Sequence, residues 1–459
     1  MWGNHTCRYG SSASVPRVSQ LDADQLVRRL EEVYPEVRIS GTPRRLSSGA
    51  SRETWRATAD TGDGFIVQLQ RGATAVTGET DEAELLRAAA AAGVPVPKVL
   101  ADGADDPVLG TYMVTSLLPG TEDPRAILAM PDPQALLDDL ASALAAIHSI
   151  DLDDSGLQPA DQLVLLRHLH DALGQPHPVF DLAFRRLEAT RPPAGETTVV
   201  HGDFRLGNLL VEDGALTGVL DWELAHLGDP VSDLGWLCVR AWRFDRPDRP
   251  AAGLGSRAAL LDAYARASGR DISAETLAWW ELLATLRWGI ITVQQAFGQR
   301  DSLEHAVIGR RTAEVEWDLL DLLGAPDAAP GPDADPAPSP HDRPTAVELL
   351  HAARSALGDD VLPQLEGRAA FQARVALRAL GIVAREIEHA LADARIRTEA
   401  LAALGADDET GVAARARAGD YDADEPAALA AMRALVRCKL AAANPRHLTP
   451  IAHPAEEPA

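Results

Sequence analysis

The apolar and polar positions alternate with period two early in the chain and with a helical period later. RRLSSGASRETWRATA (residues 44–59) and GFIVQLQR (residues 64–71) alternate and are separated by TGDG, a turn signal, so both predict strands. DEAELLRAAAAAG follows as a helix whose Ala-rich body stops at Gly93, and VPVPKVLADG and GTYMVTSLLPG are short extended pieces broken by Pro and Gly. From Asp132 onward helical spacing takes over, as in QALLDDLASALAAIHSI. NLLVEDGALTGVLDWE interrupts it: two apolar runs around Asp213-Gly214, the signal of a type I′ hairpin. No internal repeat is visible.

GAPDAAPGPDADPAPSPHDRP, from Gly324 to Pro344, is too rich in Pro and Asp to pack or to remain helical, so it reads as an extended linker. Beyond it the pattern is helical. In FQARVALRALGIVAREIEHAL, Ala376, Leu380, Val383, Ile387 and Leu391 recur at helical spacing and predict the core face of a bundle. The domains expected are a polar, disordered lead-in (1–20), a strand-rich lobe (21–118), a helical lobe (119–323), the linker (324–344) and a helical accessory domain (345–459). The fold class is α+β with a separate all-α C-terminal domain.

Composition narrows the function. The net charge of −25 over 459 residues argues against a nucleic-acid partner, because phosphate neutralisation needs clustered Lys and Arg. The 3 cysteines, Cys7, Cys238 and Cys438, are widely spaced and predict neither a disulfide framework nor a CxxC metal site. No run of about eighteen apolar residues is present, and the N-terminus lacks the apolar core of a signal peptide. The expectation is a cytoplasmic protein that acts on a small molecule, without nucleic acid or membrane.

The candidate chemistry lies around the hairpin. A two-residue turn returns Asn208 and Asp221 to the same end, where an amide oxygen and a carboxylate suit Mg²⁺. Asp203 precedes Asn208 by the spacing of a kinase catalytic loop, in which the Asp accepts a hydroxyl proton while the Asn reaches the metal. His201 joins Asp203 as a catalytic candidate by bracing that loop. Each feature alone is common; an Asp-Gly turn is ordinary and HxD is weak. Their conjunction after a sheet-first lobe is what points to phosphoryl transfer.

HGDFRLGN followed by GVLDWELAHLGDPVSDLGWL resembles the two signature motifs of the aminoglycoside phosphotransferase-like kinases, over about Val33 to Leu323. That resemblance implies a bilobal, protein-kinase-like fold using ATP and Mg²⁺. It implies Asp203 as base, Asn208 and Asp221 as metal ligands, Asp229 and Asp233 as supporting carboxylates, and Glu223 near the metal. SSGASRETW occupies the place of the family's phosphate loop, so Ser48, Gly49 and Ser51 are nucleotide-binding candidates. The chain has only two lysines, Lys98 and Lys439, and neither is on the strand where the family carries a cation. Arg71, with Arg56 as the alternative, is expected to replace it, paired with Glu82 and differing in geometry because a guanidinium is a planar fork.

Arg243 beside Trp242, and Arg287 beside Trp288, place cations among aromatics and are candidate substrate contacts; packing with snorkelling Arg stems is the competing reading. These blocks resemble the branch containing the kinase portions of acyl-CoA dehydrogenase family members 10 and 11, which implies a hydroxyacyl-CoA substrate. A sugar, amino alcohol or aminoglycoside hydroxyl, and a catalytically weak nucleotide-binding scaffold, remain alternatives; a metal-dependent hydrolase is a distant one. VLPQLEGRAAFQARVALRAL and LVRCKLAAANPRHL resemble a small helical domain of unknown function found beside such kinases, so the C-terminal unit is expected to act as a built-in partner.

Overall fold

The computed structural model describes residues 21–48, 52–70, 82–151, 157, 159, 161–244, 246–298, 302–327 and 343–449. The lead-in (1–20) and most of the linker lie outside them. The chain divides into two compact units, residues 1–87 with 97–118, and residues 88–96 with 119–459.

The first unit is an antiparallel sheet of β1 (Arg44–Ser48), β2 (Arg52–Thr58), β3 (Gly64–Gln70), β4 (Val99–Asp106) and β5 (Gly110–Ser116), in the order β1-β2-β3-β5-β4. Alternation sets its faces: Trp55 and Ala57 on β2 and Phe65, Val67 and Leu69 on β3 are buried. Two helices belong to this part of the chain: α1 (Ala23–Val33), which lies within the first unit, and α2 (Glu82–Ala91), which begins in the first unit and ends in the second. The first begins in a capping box between Asp22 and Gln25 and buries Leu26 and Leu30 beneath the sheet. The second ends just before Gly93, whose φ of +87° terminates it where the sequence places the stop.

The second unit is mainly helical. Its helices are α3 (Pro124–Leu128), α4 (Pro133–Ile147), α5 (Gln162–Leu173), α6 (Pro178–Ala189), α7 (Val231–Cys238), α8 (Arg257–Ser268), α9 (Ala274–Gly298), α10 (Leu303–Arg310) and α11 (Thr312–Leu322). After the linker come α12 (Ala346–Ser355), α13 (Gly367–Glu388), α14 (Ala390–Ala403), α15 (Glu409–Ala418) and α16 (Glu425–Ala443). Two short ribbons are set among them, β6 (Thr198–Val200) with β9 (His226–Gly228), and β7 (Leu209–Glu212) with β8 (Ala215–Val219). The fold is therefore α+β, a sheet followed by helices, as expected.

Two sequence expectations change. The C-terminal helices share a core with the helical lobe: Leu401, Leu404, Val412, Leu429, Met432, Val436 and Leu440 pack in one cluster with Phe180, Phe184, Leu286, Trp317 and Leu320. The stripe on α13 is also not its buried face. Val383, Ile387 and Leu391 are exposed, whereas Ala370, Ala373, Ile382 and Ala384 are buried. Alanines allow closer helix packing than branched side chains do, and the chain turns at His389, which places Leu391 on the next helix.

Candidate active site

The hairpin forms as its turn residues require. Asp213 and Gly214 have φ of +51° and +84°, the left-handed pair of a type I′ turn, and β7 pairs with β8 from Leu209↔Val219 to Glu212↔Ala215. The Leu220 N–H donates to the Asn208 carbonyl at 2.8 Å, which sets Asn208 beside the approach to Asp221. Asp221 itself takes φ of +65° and is exposed, as is Glu223.

The loop before the hairpin is fastened on all sides. Asp233, on the first turn of α7, accepts the backbone N–H groups of His201 at 2.7 Å and Gly202 at 2.9 Å. Its Oδ2 also meets His148 Nε2 at 3.2 Å, and His148 Nδ1 meets the Tyr264 hydroxyl at 2.8 Å. Burial pushes the Asp233 carboxyl up, but the hydrogen bond and charge of His148 outweigh it and hold it below the usual carboxylate range. Arg287 closes the other side: its Nη1 donates to the Gly202 carbonyl at 2.8 Å, and its guanidinium lies 4.4 Å from the Trp236 ring centroid.

His201 is fully buried, and both ring nitrogens are engaged. Nδ1 accepts the Asp203 N–H at 3.2 Å, so Nε2 carries the proton and donates to the Leu220 carbonyl at 3.1 Å. Burial pushes this imidazole below its ordinary value, which agrees with a neutral ring. Of the roles expected for it, the geometry fits the brace.

Three donors orient the Asp203 carboxylate. Trp236 Nε1 donates to Oδ1 at 2.8 Å, Arg205 Nε to the same oxygen at 3.0 Å, and Asn208 Nδ2 to Oδ2 at 2.6 Å. Asn208 Nδ2 also donates to the Asp203 carbonyl at 3.0 Å. With its nitrogen turned to Asp203, the Asn208 amide has its oxygen left as a ligand. A hard cation such as Mg²⁺ fits an amide oxygen and a carboxylate of this kind, Asn208 with Asp221.

Sequence reasoning missed Arg205 and Trp236. Arg205 lies within the quoted motif and could have been found; its guanidinium sits 4.6 Å from the Trp242 ring centroid. Trp236, Trp242 and Trp288 form a chain of rings at 5.4 and 5.0 Å centroid separations, so the aromatic block adjoins Asp203 through Trp236. Arg243 is a correction. It is buried against the Cys238 carbonyl (2.7 Å), the Pro247 carbonyl (3.2 Å) and Glu281 (2.9 Å), so its charge is used inside the lobe and is not presented to a substrate. Arg287 likewise holds the loop.

Asp229, one residue before the Pro230 N-cap of α7, accepts the Val231 N–H at 2.9 Å, and burial raises its carboxyl. It also lines a cavity of about 260 Å³ with Gly195, Trp280 and Leu283, and this cavity includes none of Asp203, Asn208 and Asp221.

On the nucleotide side Gly49, Ser51 and Arg71 lie outside the described residues, and Ser48 ends β1. Within them, Glu82 is paired with Arg52, at 3.3 Å through Nη1 and 2.7 Å through Nη2. Arg52 starts β2 opposite Gln70 of β3, one position before Arg71, while Arg56 further along is exposed. Among the described residues, Arg52 is thus a cation held by Glu82 that the sequence pattern did not single out.

Comparison with known proteins gives the following. Residues 42–270 match the phosphotransferase enzyme family model, and residues 363–447 match a domain of unknown function. Acyl-CoA dehydrogenase family member 10 of Mus musculus is 32% identical over 34% of this chain and 16% of its own length. A probable acyl-CoA dehydrogenase of Arabidopsis thaliana is 30% identical over 32% of this chain, so the chain spans only a fifth or less of these two relatives. Aminoglycoside 3'-phosphotransferase of Streptomyces fradiae is 27% identical over 45% of this chain and 78% of its own length. The solved macrolide 2'-phosphotransferase of Brachybacterium faecium is 20% identical, with 62% of this chain and 96% of that chain covered at a TM-score of 0.48.

Proposed function

Because this chain belongs, through residues 42–270, to the phosphotransferase enzyme family, we propose that it transfers the γ-phosphoryl group of MgATP to the hydroxyl of a hydroxyacyl-CoA, with Asp203 as the base. The observation that carries the reading is the Asp203 carboxylate, fixed by Trp236, Arg205 and Asn208 at the end of the hairpin that also presents Asp221. The acceptor hydroxyl gives its proton to Asp203 as its oxygen forms the bond to the γ-phosphorus. The bond from that phosphorus to the β,γ-bridging oxygen breaks, and ADP leaves with the electron pair. Asn208 and Asp221 would hold Mg²⁺, whose charge offsets that of the phosphates. Little covalent work falls to the protein; placing the hydroxyl and holding the Asp203 carboxylate in a fixed orientation is its main contribution.

The acyl-CoA part is supported by the relatives whose names carry acyl-CoA dehydrogenase; Trp236 and Trp242 are buried in a core cluster against which Trp288 packs, and they add nothing to it. It draws no support from Arg243 or Arg287, which serve the lobe itself. In the first unit, Arg52 held by Glu82 is the candidate cation for nucleotide phosphate. A second reading, an aminoglycoside or sugar hydroxyl as acceptor, is favoured by the likeness to the Streptomyces fradiae enzyme over most of that protein's length.

The test is mass spectrometry of the protein with MgATP and a panel of 3- and 4-hydroxyacyl-CoAs plus an aminoglycoside, with Asp203→Ala alongside. A phosphorylated acyl-CoA that needs Asp203 supports the first reading. A phosphorylated aminoglycoside with an untouched acyl-CoA panel replaces it with the second. Bound ATP with no product at all favours a nucleotide-binding scaffold.

A further inference from the structure

The helix that clamps the catalytic loop is itself anchored by the C-terminal segment. Asp233 and Trp236 on α7 hold the backbone of His201 and Gly202 and the carboxylate of Asp203. Two residues after α7, Arg240 extends its Nη1 to Asp318 Oδ1 of α11 at 2.9 Å and its Nη2 to the His447 carbonyl at 3.4 Å. His447 Nε2 closes on the same Asp318 oxygen at 2.7 Å. The three side chains are 12%, 10% and 14% exposed, so this is an interior junction rather than a surface pair.

The junction is one of a row. Each carboxylate along α11 is met from both sides, by a residue of the helical lobe and by one beyond the linker. Glu314 takes Arg311 and, from the C-terminal helices, Asn444 and Arg378. Glu316 takes His177 and Lys439, and Asp321 takes Arg240 and Arg433. On α6, Asp181 takes Arg167 and Arg417. Buried ion pairs contribute little net stability compared with apolar packing, but they fix relative position, because displacement leaves a charge without a partner. A segment that merely covered a substrate would not need to share every carboxylate of an interior helix.

We propose that the C-terminal helices, residues 345–449, position the catalytic carboxylate: His447 fixes Asp318 and Arg240, Arg240 fixes the end of α7, and Trp236 of α7 fixes Asp203. This rests on the reading of Asp203 as the base. It gives the domain of unknown function a task within this chain, and it makes His447 a positioning residue.

The experiment uses the full chain and MgATP turnover with water as acceptor, which needs no knowledge of the natural substrate. His447→Ala is expected to lower kcat about tenfold, as a small displacement of a reacting group does, with KM for MgATP unchanged. His447→Gln keeps an N–H for Asp318 and is expected to recover most of the rate. Arg185→Ala breaks the ion pair to Asp422, another contact between the lobe and the C-terminal helices but away from α7, and should leave kcat as it is. Trp236→Phe should lower kcat, and adding His447→Ala to it should lower kcat little further, since the two act in series.

The proposal is overturned by unchanged kcat in a folded His447→Ala or Trp236→Phe chain, by an equal loss in Arg185→Ala, or by full additivity. A His447→Ala chain that does not fold also counts against it, because the contact would then serve stability alone. A wild-type chain that turns over no MgATP with water and phosphorylates nothing on the acyl-CoA and aminoglycoside panel refutes the kinase reading instead. Asp203→Asn, inactive with MgATP still bound, keeps the two failures apart.

Discussion

Glu316, near the middle of α11, is 1% exposed, with His177 Nδ1 at 3.0 Å and Lys439 Nζ at 3.5 Å. Burial alone would raise its carboxyl, but the Lys439 charge and the His177 hydrogen bond outweigh it and hold the group at about 2, against an ordinary 4.5. A depressed carboxylate contributes stability that is complete above its unfolded-state value and is lost as pH falls through the folded one. The difference converts to about 3 kcal/mol, present from pH 8 down to about 5 and declining toward pH 2. Glu316→Gln keeps the shape and removes the charge, and should therefore cost about 3 kcal/mol at pH 7, in the range for breaking a buried pair from one side. Lys439 keeps Glu409 at 2.5 Å, so it does not become isolated, which argues against a larger loss. The assay is urea unfolding followed by tryptophan fluorescence, with Trp317 next to the substituted residue. Wild type and variant should differ by a constant amount between pH 8 and 5 and converge below. Equal midpoints at pH 7, or a gap that widens in acid, would refute the argument.

Asp203→Asn should retain MgATP binding while kcat drops by about 10² to 10⁴, the usual worth of a general base, as read by steady-state kinetics beside a nucleotide titration. Gly202→Ala should destabilise the loop and remove activity, because residue 202 has φ of +79° and a Cβ there would run into the Leu224 carbonyl; a lowered melting temperature checks this. Arg243→Leu should cost about 3 kcal/mol in unfolding experiments and leave KM for the acceptor unaltered in whatever variant remains folded. A raised KM at unchanged stability would return Arg243 to the substrate site. Cys238, fully buried with its thiol pushed up to about 12, should resist alkylation at pH 8 until the chain is unfolded, which peptide mapping can follow.

What the sequence determined by itself is local. Asp213-Gly214 specifies a left-handed turn that few other pairs accommodate, so the hairpin and the return of Asn208 toward Asp221 follow from neighbours in the chain. The interval from Asp203 to Asn208 is a loop length, and the bond between them follows from it. The sheet-then-helix order was legible from the change of period. Tertiary structure decided everything that depends on which distant residue arrives. An arginine beside a tryptophan reads the same whether its guanidinium faces solvent or, like Arg243, a carboxylate 38 positions away. The pairing of Arg52 with Glu82 joins residues 30 positions apart, and nothing in the local pattern around either residue announces it. The apolar positions of α13 announced a helix but not which face its neighbours would cover, and alanines won by allowing closer approach. The partnership of His447 with Asp318 and Arg240 joins residues up to 207 positions apart. Periodicity reports which side chains lie on one face of an element; the energetics of packing choose what that face meets.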